Sequence, residues 1–131
     1  MYRQQASFYK QREIQTASPG KIVVMLYDGA LKNLNIAKDA YQNKNYEQKS
    51  RALTKVSDIV TELMGSLNFD KGGEIADRLQ SLYVYILQKV VDADINKNME
   101  ALDESRRILS ELRDAFATIT KSHDVIQTQV G

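Results

Sequence analysis

The sequence predicts an all-α protein, an antiparallel up-down-up-down four-helix bundle with a mobile N-terminal segment. Two observations lead to this prediction. Apolar residues recur at intervals of about 3.6 residues over four long stretches, and only a few residues rich in asparagine and glycine separate those stretches. Short connections between long helices place neighbouring helices side by side and antiparallel. The 131 residues suffice for one bundle with a core of its own.

The first helix is predicted to begin at Ser18-Pro19. Serine is a favoured N-cap residue, and proline is tolerated in the first turn because the backbone N–H that it lacks would have no partner there. Asn43-Lys44-Asn45 ends this helix, and Asn45 with Gln48 forms the predicted capping box of the second helix. The core-facing stripes of these two helices are Ile22, Val23, Leu26, Ala30, Leu34, Ala37 and Tyr41, and then Ala52, Val56, Ile59, Val60, Leu63, Met64 and Leu67.

Residues 68–73, Asn-Phe-Asp-Lys-Gly-Gly, predict a loop, after which the third helix begins near Glu74. Asn96-Lys97-Asn98 separates it from the fourth helix, for which Asn98 is the predicted cap. Their stripes are Ile75, Leu79, Leu82, Tyr83, Ile86, Val90 and Ala93, and then Leu102, Leu109, Leu112, Phe116 and Ile119. The predicted domains are a leader over residues 1–17, the bundle over residues 18–122 and a polar tail over residues 123–131.

The residues that catalysis and metal binding require are scarce. Cysteine is absent, and the single histidine, His123, lies in the polar tail. The Glu-x-x-His motif by which many helical bundles hold metal ions does not occur. We therefore expect no catalytic residue, no metal site and no cofactor, and the protein is predicted not to be an enzyme.

Charge and hydropathy argue against two further classes of function, nucleic-acid binding and insertion into membranes. Lysine plus arginine (18) nearly equals aspartate plus glutamate (17), and the two signs alternate along the helices, which argues against binding to nucleic acid. The apolar runs are too short to span a bilayer, and the N-terminus has no signal-peptide pattern. The prediction is a cytoplasmic protein that does not insert into membranes.

The first and third helices carry more apolar surface than one core needs. Val84, Leu87, Val91 and Ile95 form a second ridge on the third helix, about 120° from its inner stripe. On the first helix, apolar residues extend the arc to both sides of the stripe: Val24, Tyr27 and Leu31 on one, Met25 and Ile36 on the other. The surplus predicts a partner surface made of Val24, Tyr27, Leu31, Val84, Leu87, Val91 and Ile95, suited to a docked helix. Burial of these residues within an irregular bundle, or against a second copy of the chain, remains an alternative.

Several blocks of the sequence resemble one family, the flagellar secretion chaperones called FliS. They occur along nearly the whole chain, in the order and spacing of that family: Thr16-Ala17-Ser18-Pro19, Met25-Leu26-Tyr27-Asp28-Gly29-Ala30, Leu67-Asn68, Gly72-Gly73-Glu74-Ile75-Ala76, Leu79, Leu82-Tyr83, Tyr85, Ala101-Leu102 and Leu112-Arg113-Asp114-Ala115-Phe116.

The resemblance implies a function and a client. Such a chaperone binds the C-terminal segment of flagellin in the cytoplasm, prevents its premature polymerisation and delivers it to the flagellar type III export apparatus. The resemblance also implies that the leader, with Phe8, Tyr9 and Ile14, covers the client surface and takes part in docking at the export gate. The alternative is a homodimeric helical adaptor for another client, or a homodimer that forms when no client is bound.

Overall fold

A computed structural model describes the backbone of residues 19–130 and the side chains of residues 20–121. This range contains four helices, α1 (Pro19–Gln42), α2 (Tyr46–Gly65), α3 (Phe69–Asn96) and α4 (Met99–Val130), and it contains no strand. The predicted four-helix bundle is confirmed. The described residues do not include the leader with Phe8, Tyr9 and Ile14, nor the cap residue Ser18. The side chain of His123 is not described either. Helix α4 continues to Val130, through residues assigned from the sequence to the polar tail.

The helices form a closed ring in which α1 and α3 each pack against both α2 and α4. Two ion pairs show that α1 and α4 run antiparallel. Asp28 accepts from Arg113 Nε at 2.8 Å, and ten residues further along α1 Lys38 Nζ lies 3.0 Å from Asp103 Oδ1. A step of ten residues forward along α1 therefore corresponds to a step of ten residues backward along α4.

Contacts of Asp94 set the direction of α2 against α3. The Ser50 hydroxyl donates to Asp94 Oδ1 at 2.7 Å, and Lys49 Nζ donates to the Asp94 carbonyl at 3.1 Å. Lys49 is buried, and its charge is met by the Asp94 carboxylate at 3.4 Å. The start of α2 thus lies against the end of α3, and these two helices are antiparallel as well.

One apolar core fills the ring. Most of the residues predicted on the inner stripes belong to it or pack against it. Ile75 and Ile119 do not, since 69% and 63% of their surfaces are exposed. Both residues lie at or beyond the end of a neighbouring helix. The antiparallel register places Ile75 past the end of α2 at Gly65, and Ile119 adjoins Thr120, which lies against Gly20 in the first turn of α1.

The connection before α3 differs from the predicted loop. Asn68 caps a helical turn that begins at Phe69, and its side chain accepts from the Lys71 N–H at 3.0 Å. The helix then breaks at Gly73, whose φ of 49° and ψ of −123° are available only to glycine at low cost. The loop predicted over residues 68–73 is therefore a capped turn followed by a one-residue break.

The capping box of α2 forms only in part. The Asn45 side chain accepts from the Gln48 N–H at 3.2 Å, as predicted. The return bond to the Asn45 N–H is missing, because that N–H already donates to the Ala40 carbonyl at 2.8 Å. The Gln48 side chain instead accepts from the Asn45 side-chain amide at 3.3 Å.

A pair of tyrosines links α1 to α3 across the core. The hydroxyl oxygens of Tyr27 and Tyr83 lie 2.5 Å apart, and both side chains are almost wholly buried. Burial raises the pKa of both phenols above the ordinary value of 10.0. Each hydroxyl thus has a partner in a place where water does not reach it.

Replacing both members of this pair should cost less than the sum of the two single replacements. Tyr83→Phe leaves the buried Tyr27 hydroxyl without its partner, so we expect the free energy of unfolding to fall by about 1–3 kcal/mol. The double variant Tyr27→Phe with Tyr83→Phe removes both polar groups and should lose less than the two single variants combined. Urea denaturation of the four proteins measures this, and strictly additive losses would contradict a coupled pair.

Candidate functional site

The ridge predicted on the third helix is exposed in the structure. Val84, Val91 and Ile95 expose 41%, 50% and 72% of their surfaces, and Leu87 between them is half-buried against the core. These four residues, called the α3 ridge below, extend over about 16 Å at 1.5 Å per residue. Among the residues the structure describes, the exposure of Val84, Val91 and Ile95 leaves this face of α3 largely uncovered.

The α1 part of the predicted surface is placed differently. Tyr27 is not on the surface; it is fully buried, and its ring also packs against that of Phe116, with centroids 5.6 Å apart. The reason lies in the spacing, because Tyr27, Ala30 and Leu34 follow one another at intervals of three and four residues and so share the core-facing side.

Val24 and Leu31 are both half-buried, and Leu31 packs against the core. Leu31 also forms part of a shallow groove of about 670 Å³ between α1 and α4, whose other lining residues are polar: Asn35, Asp103, Arg106, Arg107, Ser110, Glu111 and Asp114. Because α1 and α3 occupy opposite corners of the ring, the structure does not bring the α1 residues and the α3 ridge onto one surface.

A polar cluster bridges α3 and α4 on one side of the α3 ridge. The Tyr85 hydroxyl donates to Glu104 Oε1 at 2.6 Å, and Lys89 Nζ lies 3.7 Å from Glu104 Oε2 and over the Tyr85 ring. The hydrogen bond from Tyr85, aided by Lys89, lowers the pKa of the Glu104 carboxyl. The same bond raises the pKa of Tyr85.

A second polar cluster holds the end of α3, where the ridge finishes at Ile95. Asp92 accepts from the side-chain amides of Asn96 at 2.6 Å and Asn98 at 2.9 Å. These two bonds lower the pKa of the Asp92 carboxyl. They also brace Lys97, which lies in the left-handed region with a φ of 56° and ends the helix. Asn98, predicted as a cap for the fourth helix, therefore uses its amide nitrogen to stabilise the end of the third.

Within the described part of the chain, no three histidine, cysteine, aspartate or glutamate side chains come together as metal ligands would. None of the helices between residues 19 and 130 combines the length and apolar character needed to cross a bilayer.

The Tyr85–Glu104 bond should make stability depend on pH. Since folding lowers the pKa of Glu104, the bond stabilises the fold above the unfolded pKa of about 4.3 and this effect fades as the pH falls through the folded value. Tyr85→Phe should therefore unfold at lower urea concentration than the unmodified protein at neutral pH, and the gap should shrink in acid. Tyr46→Phe is the control, because Tyr46 is an exposed tyrosine whose ring this substitution keeps. A gap that stays equal at both pH values would contradict the assignment.

Comparison with known proteins agrees with this architecture. Residues 1–123 match the sequence model of a family described as flagellar protein FliS. The chain is 32% identical over 114 residues to the flagellar secretion chaperone FliS of Bacillus subtilis, a match covering 87% of this chain and 84% of that relative. It is also 32% identical over 120 residues to the flagellar secretion chaperone FliS of Vibrio cholerae, covering 91% and 88% of the two chains.

A solved structure has the same fold. A crystal structure of a bacterial flagellar chaperone superposes with a TM-score of 0.75 over 93% of this chain and 99% of that one, at 20% identity. The helical bundle, the match over residues 1–123 and the relatives at 32% identity lead to one conclusion. The chain belongs to the FliS family of flagellar secretion chaperones.

Proposed function

We propose that this protein is a non-enzymatic cytoplasmic chaperone that binds the C-terminal segment of flagellin. In this role it prevents premature polymerisation of flagellin and delivers it to the flagellar type III export apparatus. The observation that carries the proposal is the α3 ridge, an apolar face on a member of this family of which Val84, Val91 and Ile95 remain exposed. A helix of the client would cover that face.

The free energy available from burying the α3 ridge suits a complex that must later dissociate. Complete burial of an exposed Val or Ile side chain stabilises by about 1.5–3 kcal/mol, so the half-exposed Val84 and Val91 contribute about 1 kcal/mol each and Ile95 somewhat more. A client segment that is disordered before binding loses part of this gain when it becomes a helix. The net affinity is then moderate, which allows release at the export gate.

The α3 ridge provides the direct test. Val91→Asp and Ile95→Asp should each weaken binding of a flagellin C-terminal peptide at least about tenfold, because the complex would have to bury a carboxylate against apolar atoms. Both positions are half-exposed or more, so the bundle should keep its melting temperature within a few degrees. Ile119→Asp is the matched control, since Ile119 is equally apolar and exposed but lies on α4.

Calorimetry with the four proteins measures the affinities. If the unmodified chain does not bind the peptide, the flagellin proposal is wrong. If sedimentation shows a dimer that Val91→Asp dissociates, and no peptide binding occurs, the ridge serves a homodimer instead.

The leader residues Phe8, Tyr9 and Ile14 are part of the same proposal, as the site of docking at the export gate. This assignment rests on the match of residues 1–123 to the family. We expect Tyr9→Ala with Ile14→Ala to retain peptide binding while flagellin secretion by cells carrying this variant falls. Undiminished secretion would remove the leader from the docking step.

A further inference from the structure

A buried lysine joins the start of α2 to the end of α3. Only 3% of the Lys49 surface is exposed, and a lysine is almost never buried to this extent unless its charge is paired. Its ammonium nitrogen lies 3.1 Å from the Asp94 carbonyl oxygen and 3.4 Å from the Asp94 carboxylate. The Asp94 side chain is one-third exposed and also accepts from Ser50, so the ammonium depends on Asp94 more than the carboxylate depends on Lys49.

The contact with the carbonyl is of the kind that ends a helix. The last four carbonyls of a helix have no partner within it, and Asp94 lies two residues before Asn96, the last residue of α3. A lysine ammonium can satisfy such a carbonyl, and it also interacts favourably with the negative end of the helix dipole. Here the lysine belongs to a neighbouring helix, so α2 supplies part of the cap of α3.

Lys49 is itself held by the first turn of α2. Its backbone N–H donates to the Asn45 carbonyl at 3.1 Å, beside the bond by which the Asn45 side chain caps the helix. The Tyr46 ring lies between two ammonium groups: its centroid is 5.8 Å from Lys49 Nζ and 4.7 Å from the Nζ of Lys97, the residue that ends α3. These contacts join the start of α2 firmly to the end of α3.

A bond to the backbone constrains a helix differently from a bond to a side chain. The contacts of α3 with Tyr27, Ser50 and Glu104 end on side chains of α3, whose torsion angles can adjust to a small rotation of the helix. The Asp94 carbonyl is part of the helix backbone, so it moves with any rotation of α3 about its axis. The bond from Lys49 therefore opposes such a rotation more directly than the other three contacts do.

The α3 ridge is the surface that such a rotation would move. Ile95, its most exposed member, directly follows Asp94, and Val91 lies three residues before Asp94. Because α3 carries apolar residues on two sides, hydrophobic burial alone fixes its rotation less firmly than it would fix that of a helix with one apolar stripe. The direction in which the ridge faces therefore depends on polar contacts.

We propose that Lys49 is a positioning residue for the α3 ridge. Its bond to the Asp94 carbonyl fixes the rotation of α3 about its axis, and the ridge is thereby presented to the client in one orientation. Lys49 acts through Asp94, since its own side chain is buried and unavailable to a partner. The inference rests on the proposed function for the identity of the client, but the orientation of α3 can be measured without one.

Paired spin labels measure this orientation in the chain alone, because the protein contains no cysteine of its own. Lys55→Cys on α2 and Gln88→Cys on α3 place the labels at exposed positions of two helices in contact. With no other change, we expect one narrow distribution of distances between the labels. Adding Lys49→Met should broaden this distribution or shift its maximum, because α3 is then free to rotate.

Melting temperatures of the same variants separate positioning from a role in stability alone. Lys49→Met should change the melting temperature by only a few degrees, since methionine fills similar space and the cost of removing water from the ammonium no longer opposes folding. Asp94→Asn leaves the buried ammonium without a carboxylate and should lower the melting temperature more. It retains the carbonyl bond, however, and should retain the narrow distribution.

Binding of a flagellin C-terminal peptide tests the consequence for the proposed function. Lys49→Met should weaken the peptide about fivefold or more, because only a fraction of the molecules then present the ridge in the orientation that binds. Lys38→Met is the matched control, since it breaks an exposed ion pair between α1 and α4 and should change neither the distance distribution nor the affinity.

The outcomes distinguish this inference from the function on which it rests. A distance distribution that Lys49→Met leaves unchanged overturns the positioning role. Equal broadening by Asp94→Asn would assign the constraint to the carboxylate and overturn the role of the carbonyl bond. An altered distribution with unchanged peptide affinity overturns the link between the orientation of α3 and binding. If the unmodified chain does not bind the peptide but Lys49→Met alters the distribution, the flagellin proposal fails and the role of Lys49 in orienting α3 stands.

Discussion

Helix α3 buries Tyr83, Ile86 and Val90 in the core while Val84 and Val91 on its other side remain in contact with water. This double apolar character constrains the rest of the bundle. Hydrophobic burial alone fixes the rotation of such a helix about its axis less firmly than it fixes a helix with one apolar stripe. Polar contacts oppose that rotation on both flanks: Asp94 with the start of α2, and Tyr85 with Glu104 of α4. The buried Tyr27–Tyr83 bond opposes it from within.

The exposed ridge also limits what the fold can gain from burial. Apolar surface left in water contributes nothing to folding, and contiguous patches favour association between copies of a protein. The short connections and the core supply stability without it, since sixteen of the described side chains form one buried cluster drawn from all four helices. A protein arranged in this way can leave one face of one helix available for a partner. The exposed ion pairs between α1 and α4 add orientation rather than much stability.

The fold could be predicted from the sequence because its signals are local. Pro19 and the two Asn-Lys-Asn segments mark helix ends, and the observed bounds of α1 and α2 follow them closely. The helical turn before Gly73 was predicted as part of a loop, since a capped turn and a loop use the same residue types. Tyr27 was assigned to the partner surface because it extends the apolar arc to one side of the inner stripe, and periodicity cannot reveal that a partner hydroxyl 56 residues away meets its own in the core. The exposure of the α3 ridge could be predicted because the ridge lies about 120° from a complete core stripe on the same helix.

The buried tyrosine pair lowers the stability of the folded bundle at alkaline pH. Because folding raises the pKa of Tyr27 and Tyr83, their contribution to stability is fully present below about pH 10, the value at which they would ionise in the unfolded chain. At higher pH the unfolded chain can release two protons that the folded chain retains, so base favours unfolding. Of the seven tyrosines, Tyr27 and Tyr83 thus lose their protons more readily in the unfolded chain than in the folded one. Their ultraviolet absorbance in alkali follows the loss of the fold itself, without any added label.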